Sequence, residues 1–273
     1  MTEKEKPIGI FDSGVGGLTV VREVMRNIPK ERIVYFGDTA RVPYGSKSKE
    51  TILRYSRQIV HFLQCQDVKA IVIACNTASA FALEELSQEI DIPIIGVVKP
   101  GAKVACATTK NNRVGVIGTK GTIASGLYTE LIKQINPNIH VVGKACPLFV
   151  PLVEENWLKD PVTKEVATRY LEEVKAQDID TLILGCTHYP LLRSMLREIM
   201  GESVTLVNPA YETACRLREM LHDLHLMNDQ SLEAGAHPHQ FYVSDAAESF
   251  LDFANSILPC EIANAKKINI EDY

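Results

Sequence analysis

Two similar α/β domains, each a mainly parallel sheet flanked by helices, are what this sequence is expected to form, on three grounds. Short runs rich in Ile and Val alternate with helix-like segments: IGIFDSG from Ile8 runs into GGLTVVREVMRNIP, and IVIACNT from Ile71 runs into ASAFALEELSQEI. Strands that are apolar without interruption belong to parallel sheets covered on both faces. The pattern also repeats along the chain, at an offset that drifts between 106 and 115 residues. Finally, 273 residues with 46% hydrophobic content suffice for two domains, and such a chain buries roughly three quarters of its unfolded surface with no disulfide or metal staple.

In chain order, IGIF from Ile8 is the first strand, and VGVI from Val114 is its repeat. IVYFG from Ile33 is the second strand and pairs with IHVVG from Ile139. The helix piece ETILRY from Glu50 matches EVATRY from Glu165. AIVIACNT from Ala70 matches TLILGCTH from Thr181, and VVKP ending at Pro100 matches LVNP ending at Pro209. Each match is weak alone, but five in order read as a duplication. The steps Lys99-Pro100 and Asn208-Pro209 are the natural crossovers, because Pro ends strands and opens helices. Residues 99–207 then form the second domain. The tail reads as an amphipathic helix (YETACRLREMLHDL), a strand (QFYVS) and a helix (AAESFLDFANSIL). It is too short for a third domain, so residues 1–98 and 208–273 together form the first. The expected site is the interdomain cleft, outside the carboxyl ends of both sheets.

Composition excludes several functions. The net charge of −5 and the lack of any basic block argue against nucleic-acid binding. Apolar stretches such as AIVIAC are strand-length, far short of the ~18 residues of a membrane span. The start MTEKEKPIGIF carries acids and runs straight into a strand, unlike a secretory signal. Seven cysteines without CxxC spacing point to reduced thiols in a cytoplasmic protein.

Cys75 and Cys186 occupy equivalent places in the duplication, each ending an apolar strand just before a helix. Either alone reads as a small buried hydrophobe. Together, a pseudo-twofold sets two thiols face to face across a cleft, each beside a helix N-terminus that lowers thiol pKa and attracts anions. Inversion at a carbon stereocentre needs that arrangement: one group removes a proton from one face, and the other supplies a proton to the opposite face. A zinc site would want four ligands, and the only adjacent histidine is His188. A redox pair would usually show CxxC. The remaining cysteines, Cys65, Cys106, Cys146, Cys215 and Cys260, lack such symmetry and read as structural.

Asp12 and Ser13 end the first strand in FDSGVGGLT. Its glycines invite a dinucleotide reading, with Asp38 at the end of the second strand as the ribose ligand. The third glycine of GxGxxG is missing, however, and Asp12 would repel a pyrophosphate. Asp12 is either a helix cap or a carboxylate that grips a substrate ammonium or tunes a thiol. Tyr44 and Gly45, in RVPYGSKS, follow the second strand at the carboxyl edge. Thr119 and Thr122, in VIGTKGT, lie opposite Asp12 and Ser13 by the duplication, where hydroxyls and backbone N–H groups can hold a carboxylate. Glu154 and Glu155 read as solvated acids, and His188 as a proton relay or a capping histidine.

FDSGVGGLTV, VPYG, IACNTAS, VIGT and LGCTHYPLL, in this order and over essentially the whole chain, resemble the bacterial glutamate racemases of the Asp/Glu racemase family. The resemblance implies cofactor-independent 1,1-proton transfer between L- and D-glutamate, with the D-isomer supplying peptidoglycan synthesis. Cys75 and Cys186 would be the two bases, the first serving D-glutamate and the second L-glutamate. Asp12, Ser13, Tyr44, Gly45, Asn76, Thr77, Thr187 and His188 match substrate-binding positions, with Thr119 and Thr122 as neighbours. Asp12 beside Cys75, and Glu154 with His188 beside Cys186, resemble auxiliary acid/base groups. The alternatives are an aspartate racemase with the same two-thiol plan and a non-catalytic amino-acid-binding module. The amphipathic tail helices offer a surface for a homodimer.

Overall fold

The computed structural model describes residues 2–230 and 239–273. Its elements run β1 (Ile8–Asp12), α1 (Leu18–Asn27), β2 (Ile33–Gly37), α2 (Lys49–Cys65), β3 (Ala70–Ile73), α3 (Asn76–Glu89), β4 (Ile94–Gly96) and α4 (Val98–Thr108). There follow β5 (Arg113–Gly118), α5 (Lys120–Ala124), α6 (Leu127–Ile135), β6 (His140–Ala145), α7 (Phe149–Glu154), α8 (Pro161–Lys175), β7 (Thr181–Gly185), α9 (Arg193–Met200) and β8 (Thr205–Val207). The tail carries α10 (Pro209–Asp223), β9 (Gln240–Val243), α11 (Ala247–Ile257) and β10 (Lys266–Lys267).

The strands make two wholly parallel sheets, one ordered β10-β9-β2-β1-β3-β4 and the other β6-β5-β7-β8. Both faces of each sheet are covered, which is why the central strands are apolar between their ends, with Asp12, Arg113 and Thr181 only at the ends. In the first sheet Ile8, Ile10, Tyr35 and Val72 pack on the face of α1 and α10, while Phe11, Phe36, Ile71 and Ile73 pack on the face of α2 and α3. In the second, Leu182 and Leu184 face one core and Val116 and Ile183 the other. The tail adds β9 beside β2 and lays α10 against α1 and α4.

The runs β2-β1-β3-β4 and β6-β5-β7-β8 share one order, so the duplication is real in three dimensions. Register fixes the equivalence residue by residue. Ile8 faces Ile33 and Ala70, whereas Val114 faces Val141 and Thr181. Ala70 therefore answers to Thr181, as the sequence match has it, but Ile33 answers to Val141 and not to Ile139. The sequence match slips by two because β6 is a half-exposed edge strand, whose weak apolar pattern does not fix its phase. The two X-Pro steps are likewise not equivalent. Ile94 faces Ile71 and Leu206 faces Leu182, so Pro209 opens α10 as its first residue while Pro100 is the third residue of α4. Both places tolerate proline, since N–H groups in the first turn have no intrahelical acceptor.

Candidate active site

The carboxyl ends of the two sheets face each other. On the first, β3 delivers Cys75 to the N-cap of α3, where its Sγ accepts from the Ala78 N–H at 3.4 Å and donates to Ser13 Oγ at 3.7 Å. Burial nevertheless wins over the helix N-terminus. It pushes the Cys75 thiol up to about 12, with the Asp12 charge adding to it against the Ala78 and Ser13 hydrogen bonds. The expected lowering is thus reversed at this thiol, because desolvation of a thiolate outweighs one N–H dipole. Asp12 is fully buried at the end of β1, and its Oδ2 accepts from the Gly14 N–H at 3.0 Å. Burial pushes this carboxyl up too, opposed by His188 and by the N–H groups of Gly17, Gly14 and Ser13. Its Oδ1 is buried without a partner among the described residues.

On the second sheet, Cys186 follows β7 but precedes no regular helix. Thr187 and His188 form a turn into a short 3-10 segment, Tyr189–Leu192, with Pro190 in its first turn, and α9 begins only at Arg193. The partner of this thiol is instead a side chain: His188 Nδ1 lies 3.8 Å from Cys186 Sγ, and His188 Nε2 lies 2.9 Å from Glu154 Oε1. Burial pulls the imidazole down, but Cys186 and Glu154 together outweigh it and raise His188 to about 10. Glu154 is thus not merely solvated; it ends α7 and grips the histidine.

The two halves interlock along this seam. A Cβ on Gly16 would lie 2.4 Å from Thr187 Oγ1 and 2.5 Å from the His188 ring, so only glycine lets the β1 loop approach. A Cβ on Gly17 would meet the Asp12 Cβ at 2.4 Å, so this glycine loop is packed by protein groups, unlike a pyrophosphate cradle. Thr77 Oγ1 lies 2.9 Å from Thr119 Oγ1 and 3.1 Å from Thr122 Oγ1, which joins α3 to α5. Gly45 touches Thr119 from the first half. Two further hydroxyls cross the seam. Thr19 Oγ1 sits 2.9 Å from the Thr187 carbonyl, and Tyr128 OH donates to Asn76 Oδ1 at 2.7 Å.

The structure brings Cys75, Cys186, Asp12, Ser13, Gly45, Asn76, Thr77, Thr119, Thr122, Thr187, His188 and Glu154 to this seam. Tyr44 is there by its backbone only. Its hydroxyl turns away to Asp38, a fully buried carboxylate that also takes Arg41 Nε at 2.7 Å and Ser244 Oγ at 2.9 Å. Asp38 therefore holds the loop that presents Tyr44 and Gly45. Sequence reasoning missed Thr19, Gly16 and Tyr128. Only the extra glycine of GVGG hinted at a close approach there, and nothing local marks Tyr128. Among the described residues no group of three or more His, Cys, Asp or Glu is placed to hold a metal ion, and no helix is long and apolar enough to cross a membrane.

Comparison with known proteins bears on this geometry. Residues 13–214 match the family model described as Asp/Glu/hydantoin racemase. The glutamate racemase of Geobacter metallireducens is 49% identical over 266 residues, covering 97% of both chains. Among solved structures, glutamate racemase isoform RacE1 from Bacillus anthracis superposes with a TM-score of 0.92 at 39% identity, covering 97% of this chain and 98% of that one. The glutamate racemase from Francisella tularensis in complex with D-glutamate gives 0.91 at 38% identity, covering 99% of this chain and all of that one. The aspartate racemase of Picrophilus torridus, at 19% identity and a TM-score of 0.57 over 80% of this chain and 94% of its own, is alike in fold alone.

Proposed function

We propose a reaction for this chain, which belongs to the Asp/Glu/hydantoin racemase family: interconversion of L- and D-glutamate by proton transfer at Cα, with no added cofactor. The observation that carries this reading is the pair of buried thiols at the carboxyl ends of the equivalent strands β3 and β7, on two halves that the residues next to them join across one seam. Cys75 rests as the protonated thiol, ready to donate. Cys186 has the His188 imidazolium beside it, which steadies its thiolate and can return a proton to it. L-Glutamate then loses its α-proton to Cys186 while Cys75 delivers one to the opposite face; the reverse sequence runs from D-glutamate. Asp12 and Ser13 attend Cys75, and Glu154 acts through His188. The N–H and hydroxyl groups of Ser13, the Tyr44-Gly45 backbone, Asn76, Thr77, Thr119, Thr122 and Thr187 hold the substrate carboxylates.

Acid/base positioning contributes roughly 10²–10⁴-fold to such a step. The remaining stabilisation of the developing carbanion comes from fixed donors in a closed site from which water is excluded. The interlocked seam supports that closure. The same reading places the protein in the cytoplasm, gives its D-glutamate to peptidoglycan synthesis, takes residues 1–98 with 208–273 and residues 99–207 as the two domains, and allows a homodimer through the tail helices. The test is incubation of dialysed protein with L-glutamate and with L-aspartate in D₂O. Glutamate is expected to gain Cα deuterium and lose optical rotation while aspartate stays unchanged. Faster exchange of aspartate would make it an aspartate racemase, and binding without exchange would make it a binding module.

A further inference from the structure

Two of the hydroxyls that cross the seam obey the pseudo-twofold. Each half sends one to the residue that follows the other half's cysteine: Thr19 to Thr187, after Cys186, and Tyr128 to Asn76, after Cys75. They differ in what they bind. Thr19 meets two backbone carbonyls, those of Gly16 and Thr187, each at 2.9 Å, whereas Tyr128 meets a side-chain amide, which has two ends and can present either. A carboxamide offers an acceptor oxygen on one side and two N–H donors on the other. Here the Tyr128 hydroxyl donates to Oδ1 and so occupies the acceptor end, and Asn76 Nδ2 makes no hydrogen bond within the protein among the described residues. Its donors are thereby left for a ligand, and carboxylate oxygens are acceptors only.

Tyr128 is itself held firmly. It is 3% exposed, and burial raises its phenol above the ordinary value, so it remains a neutral donor at every working pH. Its ring lies against Gly185, where a Cβ would sit 3.2 Å from Cε2, and its hydroxyl lies beside Gly101 of α4. One side chain thus touches the residue before Cys186 and the residue after Cys75.

We infer that Tyr128 is a positioning residue, which locks the Asn76 carboxamide with its N–H donors turned to a carboxylate of the substrate and does so only while the two halves are together. The inference rests on the racemase reading above, and its test separates the two. Tyr128→Phe keeps the ring against Gly185 and removes only the hydroxyl. The orientation serves ground state and transition state alike, so KM for both enantiomers is expected to rise about five-fold, as for one net hydrogen bond, with kcat little changed. In an Asn76→Ala background the same substitution should change nothing further, because the group it orients is gone. An effect in that background as large as in the parent protein, or no effect on KM in either, would show that Tyr128 acts through packing and overturn the inference. A readout independent of turnover is the Asn76 side-chain amide in ¹⁵N spectra, assigned by its loss in Asn76→Ala. It should be one sharp pair in the parent and broadened or doubled in Tyr128→Phe; an unchanged pair overturns the inference even if the protein racemises nothing.

Discussion

His188 should be a cation throughout the neutral range, and the reason lies in two contacts. Burial alone would discharge it, yet Cys186 at 3.8 Å and Glu154 at 2.9 Å raise it from 6.5 to about 10. At about 1.4 kcal/mol per pH unit, that is on the order of 5 kcal/mol of preference for the imidazolium. The two partners do not share it equally. The Glu154 side chain is 43% exposed, so water screens its charge and its part falls in the range of about 0–1 kcal/mol usual for exposed pairs. Glu154→Gln, which keeps an acceptor for Nε2 but removes the charge, should therefore lower His188 by no more than about one unit. Cys186→Ala removes the buried partner and should lower it further. Because the folded value lies above the unfolded one, the histidine stabilises the fold fully below pH 6.5 and ceases to do so as pH climbs through about 10. In Glu154→Gln that loss should begin at lower pH. The assay is an NMR titration of the His188 Cε1–H resonance, with denaturant unfolding at pH 6 and pH 9 alongside. A parent His188 that titrates at or below the ordinary value, or one indifferent to loss of Cys186, would show that these two contacts do not hold the charge.

Gly16→Ala should cut turnover at least ten-fold and cost about 1–3 kcal/mol of stability, since its Cβ would enter the space of Thr187 and His188; unchanged kcat would show that His188 can shift freely. Lys69 and Glu31 form an ion pair with both side chains all but fully buried, beneath the amino end of the first sheet, where Lys69 Nζ also donates to the Lys4 and Leu226 carbonyls at 2.6 and 2.8 Å. Lys69→Met should therefore cost about 3–5 kcal/mol by urea unfolding through the stranded carboxylate and leave KM unchanged, whereas a neutral substitution would mean that water reaches Glu31. Cys75→Ala and Cys186→Ala should each abolish racemisation in both directions. Cys146→Ala should keep most of it, because that thiol packs in the core of the second half and hydrogen-bonds the Lys144 carbonyl, and equal losses in all three would remove the distinction.

What the sequence revealed follows burial. β1, β3, β5 and β7 are sandwiched between covered faces, so their apolar runs are continuous and their equivalence is readable; β6, at an edge, carries little pattern and was misphased by two. The two cysteines were legible because they end sandwiched strands. Their environments were not: burial at Cys75 overrides the helix N-terminus, and Pro190 follows Cys186 too closely for a regular helix to start there. The tyrosine of VPYG was readable as a loop residue, but the direction of its hydroxyl depends on Asp38 and Ser244, which meet only in the folded sheet. Tyr128 is hidden for the same reason, since its partner Asn76 lies 52 residues away and in the other half.

In the proposed reaction the two thiols work on opposite faces of one carbon. Enantiomers have equal free energy in water, so kcat/KM must be equal in the two directions for the parent and every variant. A weakened base cannot make the protein a one-way catalyst; it can only change which proton transfer limits the rate. Serine is a poorer acid/base than cysteine, so Cys75→Ser makes the transfer on the D-face limiting in both directions. The decisive measurement is the primary isotope effect on kcat/KM with D- and L-glutamate deuterated at Cα. In Cys75→Ser it should grow for the D-enantiomer and shrink for the L-enantiomer, and in Cys186→Ser the pattern should invert. The same isotope effects in both variants would mean that the thiols do not divide the two faces, and the two-base account would be wrong.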